Sequence, residues 1–349
     1  MDRQLAETMR AMETVLVTGG SGFIGRNLVD ELARRSCRIR CLVRPTSRVR
    51  HLRKAGAELF LGDVTQPDSL LAAVSGVDTV FHAAGLLVAP RIQALMQVNG
   101  QGTWNVARAC AAQPRPPVLI AVSSVAAAGP ASRGNVRRES DPPAPVSAYG
   151  RSKRSGELAA EAWSKRVPTT VVRPGIVFGT WDRLMLPMFR SIAKLGIHPI
   201  PTFAPPPLSL LHVQDLVDIL LRAADRGTRL TNTGNDSSPG GGYYFACSKQ
   251  HVTYPEWGRM SAEALGRRHV FLFHLAEPLP WLVAGVTEML ARLAHQTAII
   301  NVDKMRESLQ PSWAASPRAI QEQLGFEEAC SLDQRLRQTV NWYRERRWL

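Results

Sequence analysis

The segment that most constrains this chain is Thr14–Thr18 (TVLVT) running straight into Gly19-Gly20-Ser21-Gly22-Phe23-Ile24-Gly25. A β-branched run that ends in glycines and opens a helix predicts a strand, a tight turn and a helix packed back on the strand. The helical pattern runs from Phe23 to Arg35, with Ile24, Leu28 and Leu32 recurring every four positions on one face. Gly19 permits the tight turn, Gly22 lets the backbone approach a ligand, and Gly25 lets helix and strand touch. The free N–H groups and positive dipole end of such a helix receive an anionic group. In this strand–turn–helix setting the expected anion is the pyrophosphate of a dinucleotide.

The cycle repeats downstream. Arg38–Val43, Ala57–Leu61, Thr79–His82, Val118–Val122 and Thr169–Val172 read as strands, with helical stretches at Pro67–Val74, Val98–Ala111 and Tyr149–Lys165 between them. Alternation of this kind implies right-handed βαβ units and a parallel sheet covered on both faces. The expected fold is α/β: a Rossmann-type doubly wound parallel sheet with a smaller, mostly helical C-terminal substrate domain. After Phe178 prolines break the regularity, and Thr233–Gly242 (TGNDSSPGGG) reads as a flexible connection. A strand (Tyr243–Cys247), a helix (Pro255–Leu265) and a last helix (Leu332–Arg347) follow. The expected division is residues 13–179 as the nucleotide domain, with 208–247 returning to it, and 180–207 plus 248–349 as the substrate-binding or lid domain.

With 349 residues, 45% of them hydrophobic and 21% charged, the chain can bury a large core and carries no disorder signature. Its formal charge of +14 raises nucleic acid and anionic membranes as partners. Ten Lys/Arg lie between Arg26 and Lys54 against Asp30 and Glu31, a net of 10 − 2 = +8 around the glycine turn. A phosphate-rich small molecule accounts for that cluster, and no nucleic-acid motif accompanies it, so nucleic acid is not an expected partner. Five cysteines without a CxxC pair and His82, His198 and His212 without ligand spacing give no metal site and fit a cytoplasmic protein. Residues 1–12 read as a loose leader without a secretory apolar run, and Met12 could serve as an alternative start. Val270–Leu293 contains Pro278, Pro280, Glu277, Glu288 and Arg292, and so falls short of about 20 clean apolar residues. It fits a surface-lying segment or substrate lid, which leaves peripheral membrane contact open.

Three further groups carry chemistry. Beyond the second strand stands Arg44, with Ser47 and Arg48 close behind, where an acidic residue would hold the bare ribose of NAD. A guanidinium fork suits a 2′-phosphate, so NADP(H) is preferred and NAD(H) is the second option. Asp63 is a candidate acceptor for an adenine amino group. Tyr149 and Lys153, four apart, share one helix face, and a neighbouring ammonium is expected to draw the phenol towards neutral pH as a proton donor or acceptor. Ser124, at the carboxyl end of Val118–Val122, can hold a carbonyl oxygen beside the phenol. Asn99 is placed as an anchor of the network behind Lys153.

Taken in order, TGGSGFIG at 18–25, GDV at 62–64, FHAAG at 81–85, SSVAAAG at 123–129, YGRSK at 149–153, VVRPGIVFG at 171–179 and HVQDLV at 212–217 resemble the extended short-chain dehydrogenase/reductase superfamily, also called the NAD-dependent epimerase/dehydratase family. The resemblance covers Thr14–Arg222 well and the rest loosely. It implies a catalytic set of Ser124, Tyr149 and Lys153 supported by Asn99. Gly19, Gly22, Phe23, Ile24, Gly25, Val64, Ala83, Ala84, Gly85 and Val122 would line the cofactor, and Pro174-Gly175-Ile176 would border its nicotinamide. It also implies a homodimer.

Two departures narrow the chemistry. Val125-Ala126 stand where nucleotide-sugar dehydratases carry Asp-Glu, and Pro174-Gly175-Ile176 follow Arg173 where epimerases carry an aromatic and an asparagine. The motifs come closest to the 3β-hydroxysteroid dehydrogenase and dihydroflavonol reductase branches. These branches interconvert ketones and secondary alcohols on bulky hydrophobic substrates. The apolar stretches Ile200–Leu211 and Val270–Leu293 suit such a carbonyl or alcohol substrate, steroid-, flavonoid- or lipid-like. A nucleotide-sugar epimerase using NAD and a non-catalytic NADP-binding protein are the alternatives.

Overall fold

Alternating burial of the first strand sets the layers. In the computed structural model, β1 (Thr14–Thr18) turns Val15 and Val17 into one core and Leu16 into another. The strand is therefore apolar on both faces, as a central parallel strand must be. The structure describes residues 13–231, 240–276, 278–294, 297–298 and 301–349. The leader at 1–12, residue 232 with 233–239 of the Thr233–Gly242 connection, and Glu277 lie outside the described residues.

Six more strands build on β1: β2 (Arg38–Val43), β3 (Glu58–Leu61), β4 (Thr79–His82), β5 (Val118–Val122), β6 (Thr169–Pro174) and β10 (Tyr243–Ala246). They form one parallel sheet in the order β10-β6-β5-β4-β1-β2-β3. The order reverses between β1 and β4, which opens a crevice at their carboxyl ends. One face is covered by helices Phe23–Arg34 and Val213–Arg226, whose Leu28, Leu32, Leu216 and Leu220 meet Val15, Val17 and Ile120. The other carries helix Gly102–Ala111, with Val106 and Cys110 against Leu16, Val80 and Leu119. The doubly wound α/β fold expected from the sequence is the fold observed.

Beyond β6 the chain enters a smaller region. Strands β7 (Ile176–Phe178), β9 (Pro207–His212) and β11 (His251–Thr253) make a three-stranded sheet in the order β11-β9-β7, and β8 (Ile197–Ile200) pairs in parallel with β12 (Phe271–His274). Their core gathers Phe178 of β7 with Phe189, Trp257, Leu336 and Tyr343 from helices Leu186–Leu195, Tyr254–Ala264 and Leu332–Glu345.

Two expected helices differ in form. Pro67–Val74 divides into a 3₁₀ turn at Pro67–Ser69 and one α turn at Leu71–Val74. Val98–Ala111 is entered through a π-helical stretch, Met96–Gln101, before the α-helix at Gly102. The wider turn places Asn99 where its amide spans two partners, donating to the Leu86 carbonyl at 2.9 Å and to Ser152 Oγ at 2.9 Å. A π-bulge is a frequent device for aiming a functional side chain.

The helix Ala148–Trp163 is fixed by a buried ion pair. Glu157 (2% exposed) accepts from Arg173 Nε and Nη2, both at 2.8 Å, and from Ser123 Oγ at 2.6 Å. Arg173 (1% exposed) lies with its guanidinium carbon 4.2 Å from the Tyr243 ring centroid. One pair thus joins the helix, β5, β6 and β10. The arginine and the Ser123 hydroxyl outweigh burial and hold the Glu157 carboxyl below its usual range.

Glu157→Ala should lower unfolding free energy by about 3–5 kcal/mol in urea titrations, because it leaves Arg173 buried without its anion. Glu157→Leu with Arg173→Leu should lose less than the single variant, and an equal or larger loss would contradict the charge argument. An unfolded glutamate takes up a proton near pH ~4.3, while folded Glu157 stays ionised below that. The pair's contribution is therefore complete above that pH and is lost as acid reaches the folded pKa.

Candidate active site

The crevice floor is backbone. Gly22 caps helix Phe23–Arg34 with its N–H bonded to the Gly19 carbonyl at 2.9 Å, and Phe23 and Ile24 open the helix. Gly19 has φ +74°, and a Cβ there would lie 2.6 Å from the Ala84 nitrogen and 2.7 Å from the Ala83 carbonyl oxygen. A Cβ on Gly25 would lie 2.2 Å from the Gly19 oxygen, so only glycine lets the helix start this close to the turn. The result is a helix N-terminus with open main-chain donors at the switch point, which fits the pyrophosphate of a nicotinamide dinucleotide.

The walls are a hydrogen-bonded relay behind that turn. Ala83 donates to the Thr18 carbonyl at 3.2 Å and Ala84 to Thr18 Oγ1 at 3.3 Å. Thr18 Oγ1 lies 2.7 Å from His82 Nδ1, and His82 Nε2 lies 3.0 Å from Thr103 Oγ1, which donates to the Asn99 carbonyl at 2.7 Å. Complete burial, with Lys153 nearby, pushes His82 down to about 3, so it is a neutral link. Asn99 Oδ1 accepts from Leu86 N at 2.8 Å, and a Cβ on Gly85 would meet Asn99 Oδ1 at 3.1 Å and Lys153 Nζ at 3.5 Å. Asn99 and Lys153 thus flank Gly85, and Asn99 reaches the helix of Lys153 through Ser152.

Ser124, Tyr149 and Lys153 converge at the ends of β4 and β5. Each is half-buried, whereas Ser123, Asn99, Ser152 and Glu157 around them are buried. Ser124 caps the short helix Val125–Ala128, its Oγ accepting from Ala126 N at 3.2 Å, and it lies close enough to Tyr149 to act on the phenol. Lys153 Nζ donates to the Val122 carbonyl at 2.6 Å.

One electrostatic expectation is overturned. Burial pushes the Tyr149 phenol up to about 12, Ser124 draws it partly back, and Glu307 raises it. Lys153 is itself pulled down to about 8 by burial, against the opposing pull of Glu157. Spacing of four puts ammonium and phenol on one face, but Lys153 spends its proton on a carbonyl, and desolvation decides the phenol.

The remaining expected residues lie further out. Beyond β2, Ser47 Oγ accepts from Arg44 N at 3.0 Å, Arg44 and Arg48 are exposed, and Arg48 is close enough to act on Arg26. Among Arg44–Arg50 there is no carboxylate. Asp63 beyond β3 is occupied locally, Oδ1 accepting from Thr65 N and Oγ1 at 2.8 Å, while the Val64 carbonyl accepts from Asn105 Nδ2 at 2.8 Å. Pro174 ends β6 and Ile176 starts β7, so Pro174-Gly175-Ile176 is the seam between the two larger sheets.

Sequence reasoning missed the helix Val302–Ser308. Its Asp303 accepts from the backbone N–H of Ala148 (2.8 Å) and Tyr149 (3.2 Å), and its Glu307 accepts from Ser147 Oγ at 2.5 Å. Lys304 bonds Glu307 at 2.7 Å and lies 4.7 Å from the centroid of the Tyr149 ring. A separation of over 150 residues hides this cluster from any local pattern. Glu157 did leave a signal, since it continues the face of Tyr149 and Lys153 by one more turn.

Comparison with known proteins identifies the family. Over 344 residues the chain is 28% identical to the ceramide reductase of Caulobacter vibrioides, covering 97% of each chain. It is 32% identical over 221 residues to the human (Homo sapiens) 3 beta-hydroxysteroid dehydrogenase type 7, covering 55% of this chain and 58% of that protein. The dTDP-glucose 4,6-dehydratase of Streptomyces venezuelae superposes with a TM-score of 0.75 at 19% identity, over 96% of this chain and 98% of that one, and shows the shared fold. Residues 15–234, the part that builds the glycine turn, the Ser124–Tyr149–Lys153 convergence and the seam, match a single family description, and the chain belongs to the NAD dependent epimerase/dehydratase family of NAD(P)-dependent oxidoreductases.

Proposed function

We propose that this protein is an NADP(H)-dependent oxidoreductase that interconverts a ketone and a secondary alcohol on a bulky hydrophobic substrate, steroid-, flavonoid- or lipid-like. The observation that carries this reading is the convergence of the half-buried Ser124, Tyr149 and Lys153 at the carboxyl ends of the central strands, beside the glycine turn. Relatives named for ceramide and for 3 beta-hydroxysteroids support an apolar substrate class. The carboxylate pair of a dehydratase is replaced by Val125-Ala126, both buried.

A bound nicotinamide supplies or takes the hydride. The chain's own residues do the rest. Gly19, Gly22 and Gly25 with the N–H groups of Phe23 and Ile24 seat the pyrophosphate. Arg44, with Ser47 and Arg48 beside it, holds the 2′-phosphate, where a guanidinium outbids a neutral donor. Ser124 Oγ orients the substrate oxygen and Tyr149 Oη passes it a proton. Lys153 and Asn99 hold the ribose side of the crevice, with Val122, Ala83, Ala84, Gly85 and Val64 as its lining. Pro174-Gly175-Ile176 borders the ring. Asp63 keeps a place near the adenine, as a residue that shapes the turn. Homodimerisation and a cytoplasmic location belong to the same reading.

The phenol's pKa makes the two directions differ. With Tyr149 at about 12, the neutral phenol needed for ketone reduction persists through neutral pH, whereas the phenolate needed for alcohol oxidation does not. Reduction should keep its proton donor from about pH 6 to 9, and oxidation should climb with pH over that range. A reduction rate that titrates away with a midpoint near pH ~7 through Tyr149 would contradict this assignment.

NADPH oxidation should be measured with a panel of steroid, flavonoid and long-chain 3-oxo lipid ketones. Tyr149→Phe should lower kcat by at least about 10²-fold, with NADPH still bound. Arg44→Ala should weaken NADPH binding by about tenfold or more, the worth of a charge-assisted contact, and leave NADH binding unchanged. Turnover unaffected by Tyr149→Phe would sink the mechanism, and equal losses for both cofactors would sink the assignment of Arg44. Activity on nucleotide sugars alone would replace the substrate class.

A further inference from the structure

Helix Leu279–Leu293 is built the wrong way round for a globular protein. Leu282, Val283, Val286, Met289, Leu290 and Leu293 recur at helical spacing, and all are exposed, Leu293 by 73% and Leu282 by 62%. The opposite side is the one that packs: Ala284 is buried, and Glu288 Oε2 accepts from Val302 N at 3.1 Å. An amphipathic helix ordinarily turns its apolar stripe inward. Here the stripe is the outer surface.

A second apolar face adjoins it in the chain. In the parallel pair β8–β12, Phe271 sits opposite Ile197 and Phe273 opposite Pro199, and all four are exposed. Phe203, 70% exposed, stacks on His274 with ring centroids 5.5 Å apart. Twelve of the nineteen large exposed apolar side chains among the described residues fall between Leu195 and Leu293. Monomeric proteins rarely leave such a patch bare.

Charge says what covers it. From Arg183 to Gln214 the chain has Arg183, Arg190 and Lys194 and no Asp or Glu; from Ala264 to Leu293 it has Arg267, Arg268 and Arg292 against Glu277 and Glu288, a net of 6 − 2 = +4. Lys194 and Arg267 meet at the edge of the β8–β12 face, where Arg267 Nη2 donates to the Lys194 carbonyl at 3.3 Å. An apolar stripe flanked by cations suits an anionic lipid surface. Pairing the same face with a second copy would crowd these cations together. Among the described residues no helix is long and apolar enough to cross a membrane, so contact with a bilayer would have the helix lying in the interface.

We propose that helix Leu279–Leu293 and the exposed face of β8–β12 form a docking surface for an anionic phospholipid bilayer. Glu288 ties this helix to the start of helix Val302–Ser308, whose Asp303 caps the Tyr149 helix. The contact therefore lies one short helix from the candidate catalytic tyrosine, where an apolar substrate would arrive from lipid. The docking itself does not depend on which substrate is turned over.

Flotation of the full chain with phosphatidylcholine vesicles, with and without phosphatidylglycerol, tests the surface. Binding should require phosphatidylglycerol and weaken with salt. Leu282→Glu, Val286→Glu and Leu290→Glu combined should reduce it by about tenfold or more. Lys194→Glu with Arg268→Glu should also reduce it. All variants should keep the wild-type circular dichroism spectrum and thermal midpoint, since the altered side chains are exposed. No flotation at low salt, or flotation that the Leu/Val variant leaves untouched, would overturn the proposal. So would a wild-type dimer that the same variant splits while vesicle binding is absent, because the stripe would then be a subunit contact. Each readout is independent of NADPH turnover.

Discussion

The arrangement of this protein hangs on the buried pair of Glu157 and Arg173. A carboxylate and a guanidinium taken out of water repay their desolvation only with good geometry and further hydrogen bonds. Here both conditions hold: two parallel 2.8 Å bonds join the pair, and Ser123 supplies a third. Because Ser123 precedes Ser124 and Glu157 lies on the face of Tyr149 and Lys153, the pair fixes the helix that carries Tyr149 and Lys153 relative to the strand end that carries Ser124. An apolar contact would have allowed the helix to slide; a bidentate pair with a third donor does not.

On that frame burial does most of the electrostatic work. His82 at about 3, Lys153 at about 8 and Tyr149 at about 12 are all displaced towards their neutral forms. The relay from Thr18 through His82 and Thr103 to Asn99 therefore conveys position through neutral groups. Glu307 and Lys304, bonded to each other beside Tyr149, add a local dipole from the C-terminal region. The nucleotide-binding sheet provides the floor, and the smaller region sets the conditions at its mouth.

Much of this was legible in the sequence because it is local. The glycine turn, the ends of β1, β4 and β5, and the four-residue step from Tyr149 to Lys153 are consequences of strand and helix periodicity. The π-helical entrance at Met96–Gln101 was not legible, since it follows from where Asn99 must reach. The direction of the Tyr149 shift was misread for a similar reason: spacing shows which charges are near, while desolvation depends on every element packed around the phenol. The cluster at Asp303, Lys304 and Glu307 comes from the far end of the chain. Likewise the periodicity of Leu279–Leu293 is plain, but a sequence does not say which way an apolar stripe faces.

The seam at Gly175 has a consequence for how such a molecule can change its substrate. A Cβ at Gly175 would lie 2.2 Å from the Ser209 carbonyl oxygen, and Gly175 N bonds the Ala246 carbonyl at 3.0 Å. One residue is thus clasped between β9 of the three-stranded sheet and β10 of the seven-stranded sheet. The two sheets are riveted at this residue, and a pivot of one against the other would break the bond from Gly175 to Ala246. New specificities must then come from resurfacing the segments hung on the rivet, such as β8, β12 and the helices after them, while the rivet stays unchanged.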